Sequence, residues 1–182
     1  MKRALALGLT FAGVALAAHV GTILVAPHAL MTLAMRKLSP ANALGDAQVN
    51  TFQFARRTTA QSRAIVRPSP DLAYASCVYD LAQGPLLVSA APTPGGGYAS
   101  LSVFAANTDN IGVFVTIANP QGIRFVLARA GEPLPDKAAR LALPVVLSPS
   151  RKGAILDRRL VPTAEAFALA DKARRADSCA PL

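Results

Sequence analysis

The first 37 residues limit what this chain can fold into more than any other part of the sequence. After Lys2 and Arg3, no charged residue occurs until Arg36. Residues 4–25 are apolar apart from two threonines and one histidine, and these 22 residues are enough to cross a bilayer. We therefore predict that residues 1–37 are a signal anchor, placed in the inner (cytoplasmic) membrane through residues 4–25.

Two fates of this segment stay open. Ala15-Leu16-Ala17 is similar to a signal-peptidase site, and cleavage there would give a secreted periplasmic protein. The apolar run continues to Val25, however, and this is longer than a signal peptide needs. It favours an uncleaved, single-pass anchor. Lys2 and Arg3 keep the N-terminus cytoplasmic under the positive-inside rule, so we expect the C-terminal domain to lie in the periplasm.

Both cysteines, Cys77 and Cys179, lie in the part of the chain that is expected to be exported. An oxidising compartment permits them to form a disulfide, which would close a loop of about 100 residues. Two unpaired thiols are the alternative, because the sequence does not show whether the Cα atoms come within about 7 Å of each other.

Histidine and charge limit the possible chemistry. Residues 29–182 contain no histidine, which excludes Ser-His-Asp triads, Cys-His dyads and histidine-ligated metals from that part of the chain. We therefore predict no catalytic residue, no metal and no cofactor. The net charge of +9 falls to +5 beyond residue 37. The basic residues there occur as scattered pairs, which are Arg56-Arg57, Arg151-Lys152, Arg158-Arg159 and Arg174-Arg175. With few aromatic residues beside them, these pairs suggest solvated surfaces and no nucleic-acid partner.

The remaining pattern is mainly β. From Leu72 to Leu160, about seven short apolar strands alternate with turns, which is typical of an antiparallel sandwich or partial barrel. In one of them Cys77, Tyr79 and Leu81 share a face, and another is predicted over residues 86–90. Asn119–Gly122 lies between two of these strands and indicates a hairpin. Thr163 is the expected N-cap of a short C-terminal helix. We assign 38–66 to a connector with some helix and 67–182 to the β domain.

A set of short motifs in the β domain carries a family resemblance. The motifs are Arg67 to Tyr74, Tyr79-Asp80-Leu81, Gly84-Pro85-Leu86, Tyr98-Ala99-Ser100-Leu101 and Asn107 to Asn110. Together they resemble DUF1254, a family of domains of unknown function, over residues 67–134 and more loosely to the C-terminus. The resemblance implies a β-sandwich of jelly-roll type and no established catalytic residue. Longer relatives carry a second domain, so it also implies a short membrane-anchored form with a separately encoded partner domain.

The candidate ligand-binding residues are polar and lie at predicted strand ends. They are Asp71, Tyr74, Asp80, Asn107, Asp109 and Asn110. Their carboxylates could bind Ca²⁺ or act as an acid/base pair, so an envelope enzyme or a small-ligand or calcium module is the alternative to a binding or assembly role. Asp and Asn at strand ends also bond to nearby backbone, and this local interpretation is favoured.

Overall fold

The computed structural model describes residues 2–39, 48–59, 61–63 and 68–182. Much of the predicted connector, together with Arg67 of the family motif, lies outside these residues. The strands are β1 (Phe52–Phe54), β2 (Leu72–Asp80), β3 (Leu86–Ala90), β4 (Ala99–Ala105), β5 (Asn110–Val115), β6 (Ile123–Arg129), β7 (Val145–Ser148), β8 (Lys152–Leu160) and β9 (Ser178–Pro181). The α-helices are α1 (Lys2–Leu38), α2 (Asp136–Ala139) and α3 (Ala164–Arg174).

Two sheets form the domain. One is antiparallel, with strand order β1-β2-β8-β4-β5, and the other has the order β7-β6-β3-β9. In the second sheet β6 and β7 run parallel, so that sheet is mixed. The predicted mainly β fold, with a long N-terminal and a short C-terminal helix, is confirmed.

The core lies between the sheets because most of the inward-facing residues of the inner strands are apolar. The fully buried side chains include Tyr79, Leu86, Val88, Leu101, Val103, Phe125, Leu127 and Ile155. A disulfide between Cys77 of β2 and Cys179 of β9 joins the two sheets, with the Cα atoms 6.6 Å apart.

Helix α1 is 37 residues long and apolar enough to cross a membrane. Its threonines do not need water, because Thr10, Thr22 and Thr32 each donate to the carbonyl four residues earlier. Most of the helix is exposed, whereas Met31 is buried. Helix α1 also lies against β2 and β8.

The predicted hairpin around Asn119–Gly122 is wrong. Strand β5 pairs with β4 and strand β6 pairs with β3, so the turn connects the two sheets. The two strands instead face each other across the core, where the Phe114 and Phe125 rings stack with centroids 4.4 Å apart. Two strands were not predicted. β1 falls within the expected connector and pairs with β2, and β9 follows α3.

Candidate functional site

Asp71 and Asp80, two of the carboxylates proposed from the sequence, do not share a site. Asp71 precedes β2 and Asp80 is its last residue. Nine residues of extended chain separate them, which is about 30 Å. Acid/base chemistry needs both groups at one bound substrate, so these two residues cannot act together.

Asp80 is held by its surroundings. Its carboxylate lies 3.3 Å from Arg151 Nε and 3.3 Å from Lys152 Nζ, and it accepts a hydrogen bond from the Ala82 amide at 3.0 Å. The Asn50 side chain bonds to both backbone groups of Asp80, at 2.7 and 3.0 Å. These contacts connect the end of β2 to the start of β8 and to the segment before β1.

Asn107 and Asp109 lie in the β4–β5 turn, and Asn110 is the first residue of β5. The Asn107 amide donates to the Asp109 carboxylate at 2.6 Å, and Asn110 Oδ1 accepts from the Gly112 amide at 3.3 Å. The Tyr74 hydroxyl accepts from the Ser69 amide at 2.8 Å. All are local contacts that stabilise turns. Within the described ranges, no three His, Cys, Asp or Glu side chains gather as a metal site.

The structure reveals a buried charged cluster that the sequence interpretation missed. Asp157 and Arg159 of β8 point into the sandwich, on the same face as Ile155, and both are fully buried. Arg159 Nε donates to Asp157 at 2.9 Å, and Arg159 Nη2 donates to both carboxylate oxygens of Asp177 at 2.8 Å. The prediction that the Arg158-Arg159 pair is solvated is therefore wrong for Arg159. The sequence signal for its burial is that Arg159 comes two residues after Asp157 and four after Ile155, so all three share one face of the strand.

One guanidinium faces two carboxylates in this cluster. Burial, together with the Asp157 charge, raises the pKa of Asp177 to about 7, against the lowering effect of Arg159. Burial also raises the pKa of Asp157, again opposed by Arg159. In the described part of the chain, Asp157 Oδ1 and Arg159 Nη1 have no hydrogen-bond partner. The excess negative charge favours one proton shared by the two carboxylates.

Arg174 forms a second buried clamp, so the prediction that Arg174-Arg175 is solvated is also wrong for Arg174. Its guanidinium donates to the Tyr74 carbonyl at 2.5 Å, to the Ala55 carbonyl at 2.6 Å, and to Asp171. The Phe54 ring lies 5.7 Å away. These contacts attach α3 to β2 and to the segment after β1.

Two cavities lie at opposite ends of the sandwich. An apolar one of about 260 Å³ is lined by Tyr98, Leu160, Pro162 and Leu169, where β8 ends. A polar one of about 550 Å³ lies at the other end, where β2 ends and β8 begins; it is lined by Leu81, Ala82, Gly84, Arg129, Glu132 and Arg151. Neither contains any of the six residues proposed from the sequence.

Comparison with known proteins agrees with this architecture. The family model described as "Protein of unknown function (DUF1254)" matches residues 49–181. The chain belongs to the DUF1254 family. A crystal structure of the VPA0106 protein from Vibrio parahaemolyticus is similar, with a TM-score of 0.55 and 17% identity over 72% of this chain and 30% of that one. An uncharacterized protein from Burkholderia cenocepacia matches 90% of this chain and 40% of its own, with 13% identity and a TM-score of 0.42. No curated protein matches the chain.

The DUF1254 domain exposes apolar side chains along one edge. Strands β5 and β7 are the outermost strands of their sheets and lie next to each other. Four large apolar side chains are exposed on or beside them: Val113 (58%), Ile117 (82%), Val145 (42%) and Leu147 (57%). We call these four residues the edge strip. Val113 points outward from the first sheet, and Val145 and Leu147 point outward from the second, because their neighbours Phe114 and Val146 pack into the core. The edge strip therefore flanks the β5–β7 edge on both faces. Exposed apolar residues on edge strands are typical of an interaction surface.

Proposed function

We propose that this DUF1254 protein is a membrane-anchored assembly domain. In this proposal α1 crosses the inner membrane through residues 4–25, the β domain lies in the periplasm, and the edge strip binds a separately encoded protein domain. The edge strip is the observation that carries the proposal.

The anchor is supported by the continuity of α1. Its apolar surface is exposed from Ala4 to Val25, and lipid would cover that surface. The same helix continues without a break to Leu38 and lies against β2 and β8. A span in the membrane would therefore hold the domain close to the bilayer. The Cys77–Cys179 disulfide supports the periplasmic side, since cytosolic thiols stay reduced.

The partner is argued from the chemistry of the edge strip. Edge strands carry unpaired backbone donors and acceptors, and solvent-exposed Val, Ile and Leu beside them gain free energy when a second apolar surface covers them. The VPA0106 structure supports a protein domain as that surface, because the matching fold is 30% of its chain and further polypeptide accompanies it there. A partner with a complementary apolar face and an accessible strand fits best.

Membrane topology is tested with reporter fusions. Alkaline phosphatase fused after Leu182 should be active, and the protein should stay in the membrane fraction after alkaline carbonate extraction. If the alkaline phosphatase fusion is inactive and a fusion to a reporter that works only in the cytoplasm is active, the periplasmic assignment is wrong. Release of a shortened, soluble protein into the periplasm would show that the signal segment is cleaved.

Docking is tested with a photo-crosslinking amino acid placed at Leu147 in the full-length membrane protein. We expect one heterologous adduct, lost when Val113→Asp is added on the neighbouring strand. The same probe at Leu169 is the matched control, because this leucine is equally exposed (59%) but lies on α3. Adducts between two copies only, or the same adduct from both positions, would contradict a specific partner at the edge strip.

A further inference from the structure

We propose that the polar cavity at the β2–β8 end is a binding site for a small anion, a ligand that carries a phosphate or carboxylate group. Its walls come from three connections at one end of the sandwich: the turn after β2, the segment after β6 and the turn before β8. This site is distinct from the edge strip and does not depend on the proposed assembly role.

Arg129 provides the main argument. It is the last residue of β6, and its strand position, two residues after Leu127, directs its side chain to the inner side of the sheet. The side chain is half-buried and lies close enough to the Tyr79 hydroxyl to lower the pKa of that group, against the larger raising effect of burial. Among the described residues, the Arg129 guanidinium has neither a hydrogen-bond nor an ion-pair partner.

The neighbouring polar groups do not compensate this charge. The Tyr79 hydroxyl is engaged with Ser148 at 2.9 Å and with the Phe104 carbonyl at 3.1 Å. Asp80 is already shared by Arg151 and Lys152, at 3.3 Å each. A half-buried guanidinium without a counterion is costly, and a bound anion would remove that cost.

Arg151 supplies the second cation of the cavity. It bonds to Asp80 through Nε, so its two terminal nitrogens can donate to a ligand. Glu132 is the one acidic residue of the lining, and it is exposed. Arg129, Arg151 and Lys152 together face the two carboxylates of Asp80 and Glu132, which leaves one positive charge in excess at the cavity. The planar forks of the two arginines match phosphate and carboxylate oxygens, which is why we assign an oxyanion.

The test uses the full-length protein in detergent micelles and inorganic phosphate as the probe, at low ionic strength. NMR chemical shifts of the Gly84 amide and the arginine side chains should respond to phosphate and saturate. Arg129→Gln should weaken binding about tenfold or more, the usual effect of losing a charge-assisted hydrogen-bonded pair. Arg124→Gln is the matched control, because Arg124 is on the same strand but exposed. It should leave the affinity unchanged.

A second variant guards against a folding defect in Arg129→Gln. Arg151→Gln changes an exposed side chain and leaves Lys152 to neutralise Asp80, so it should fold and still weaken phosphate binding. If all variants bind phosphate as tightly as the wild type, there is no anion site in the cavity. If Arg124→Gln weakens binding as much as the two cavity variants, phosphate is attracted by the overall positive charge and not by the cavity.

A vesicle experiment distinguishes a lipid headgroup from a free solute as the natural anion. Vesicles containing phosphatidylglycerol should bind in an Arg129-dependent manner, beyond vesicles of phosphatidylcholine alone, if the ligand is a lipid headgroup. Arg129-dependent phosphate binding without any difference between the vesicles would identify a free solute. Both results support the site, whereas no dependence on Arg129 in either arm rejects it.

Discussion

Arg159 Nη2 lies 2.8 Å from both carboxylate oxygens of Asp177, although the two residues belong to different parts of the fold. Arg159 is on β8, and Asp177 lies between α3 and β9. Asp177 also accepts a hydrogen bond from the Ala91 amide, just after β3, at 2.9 Å. A single carboxylate therefore ties together three segments from both sheets, in an interior that water does not reach.

Removing the cation from this cluster should be strongly destabilising. Arg159→Met leaves Asp157 and Asp177 buried without their counterion, and breaking a buried ion pair costs about 3–5 kcal/mol. We expect the free energy of unfolding, measured by urea titration in detergent, to fall by about that amount. Arg124→Met, at an exposed position of β6, should change it by less than about 0.5 kcal/mol. Similar small effects for both variants would contradict a structural role of the cluster.

The same cluster predicts a pH dependence of stability. An ordinary aspartate has a pKa of 3.8, whereas Asp177 in the folded protein has a pKa of about 7. Between these values the folded protein keeps a proton that the unfolded chain has released. The free energy of unfolding should therefore decrease as the pH rises from about 4 to about 7, by at most about 1.4 kcal/mol per pH unit, and level off above pH 7. Urea titrations at pH 5, 6, 7 and 8 measure this slope.

Two variants identify the group that titrates. Asp177→Asn keeps the shape and removes the ionisable group, so the slope between pH 5 and 7 should become flatter. Asp136→Asn changes an exposed carboxylate and should leave the slope as it is. A wild-type stability that does not change between pH 5 and 7 would show that the two carboxylates are both ionised in the fold.

The sequence predicts single strands well because burial of one strand face produces a period of two. β3 has the bounds expected from its apolar run, and Cys77 and Tyr79 lie on the core side of β2 as their alternation indicates. Which strands pair with each other is harder to predict from the sequence. The strands on either side of Asn119–Gly122 have the signature of a hairpin, yet the contact between Phe114 and Phe125 places them in opposite sheets. That choice depends on the whole domain, which local patterns do not encode.

The polar sites were harder to predict for a related reason. Charged residues on a strand or a surface helix usually indicate the solvent face. Arg159 of β8 and Arg174 of α3 are buried only because their partners, Asp177 and the carbonyls of Ala55 and Tyr74, come from distant segments. Asp80 and Asp109 were visible from the sequence as polar strand ends, and the structure shows them in local contacts. Arg129 carries no sequence signal beyond its place at the end of an apolar strand.

The disulfide should contribute substantially to stability. Cys77 and Cys179 are 102 residues apart. Closing a loop of this size reduces the chain entropy of the unfolded state, which raises its free energy by about 4–5 kcal/mol. We expect the reduced protein to unfold at clearly lower urea concentration than the oxidised one. The variant carrying both Cys77→Ala and Cys179→Ala is the control, because its urea midpoint should not respond to the reductant. An unchanged midpoint on reduction of the wild type would contradict the prediction.

The contacts of Arg174 depend on the planar shape of its guanidinium group more than on its charge. Its guanidinium reaches the Tyr74 and Ala55 carbonyls and Asp171 at the same time, and a lysine ammonium cannot replace a planar fork that bonds in three directions. Arg174→Lys should therefore lower the free energy of unfolding by about 2–3 kcal/mol, since buried carbonyl acceptors lose their donors.

Arg175→Lys is the matched control for that variant. The neighbouring arginine also bonds to Asp171, but its side chain is 56% exposed, and water can replace what lysine does not reach. This substitution should change the free energy of unfolding, obtained from the urea titration, by less than about 0.5 kcal/mol. If both lysine variants unfold at the wild-type midpoint, charge alone holds α3 against β2. If both lose stability equally, burial of Arg174 is not what makes it important.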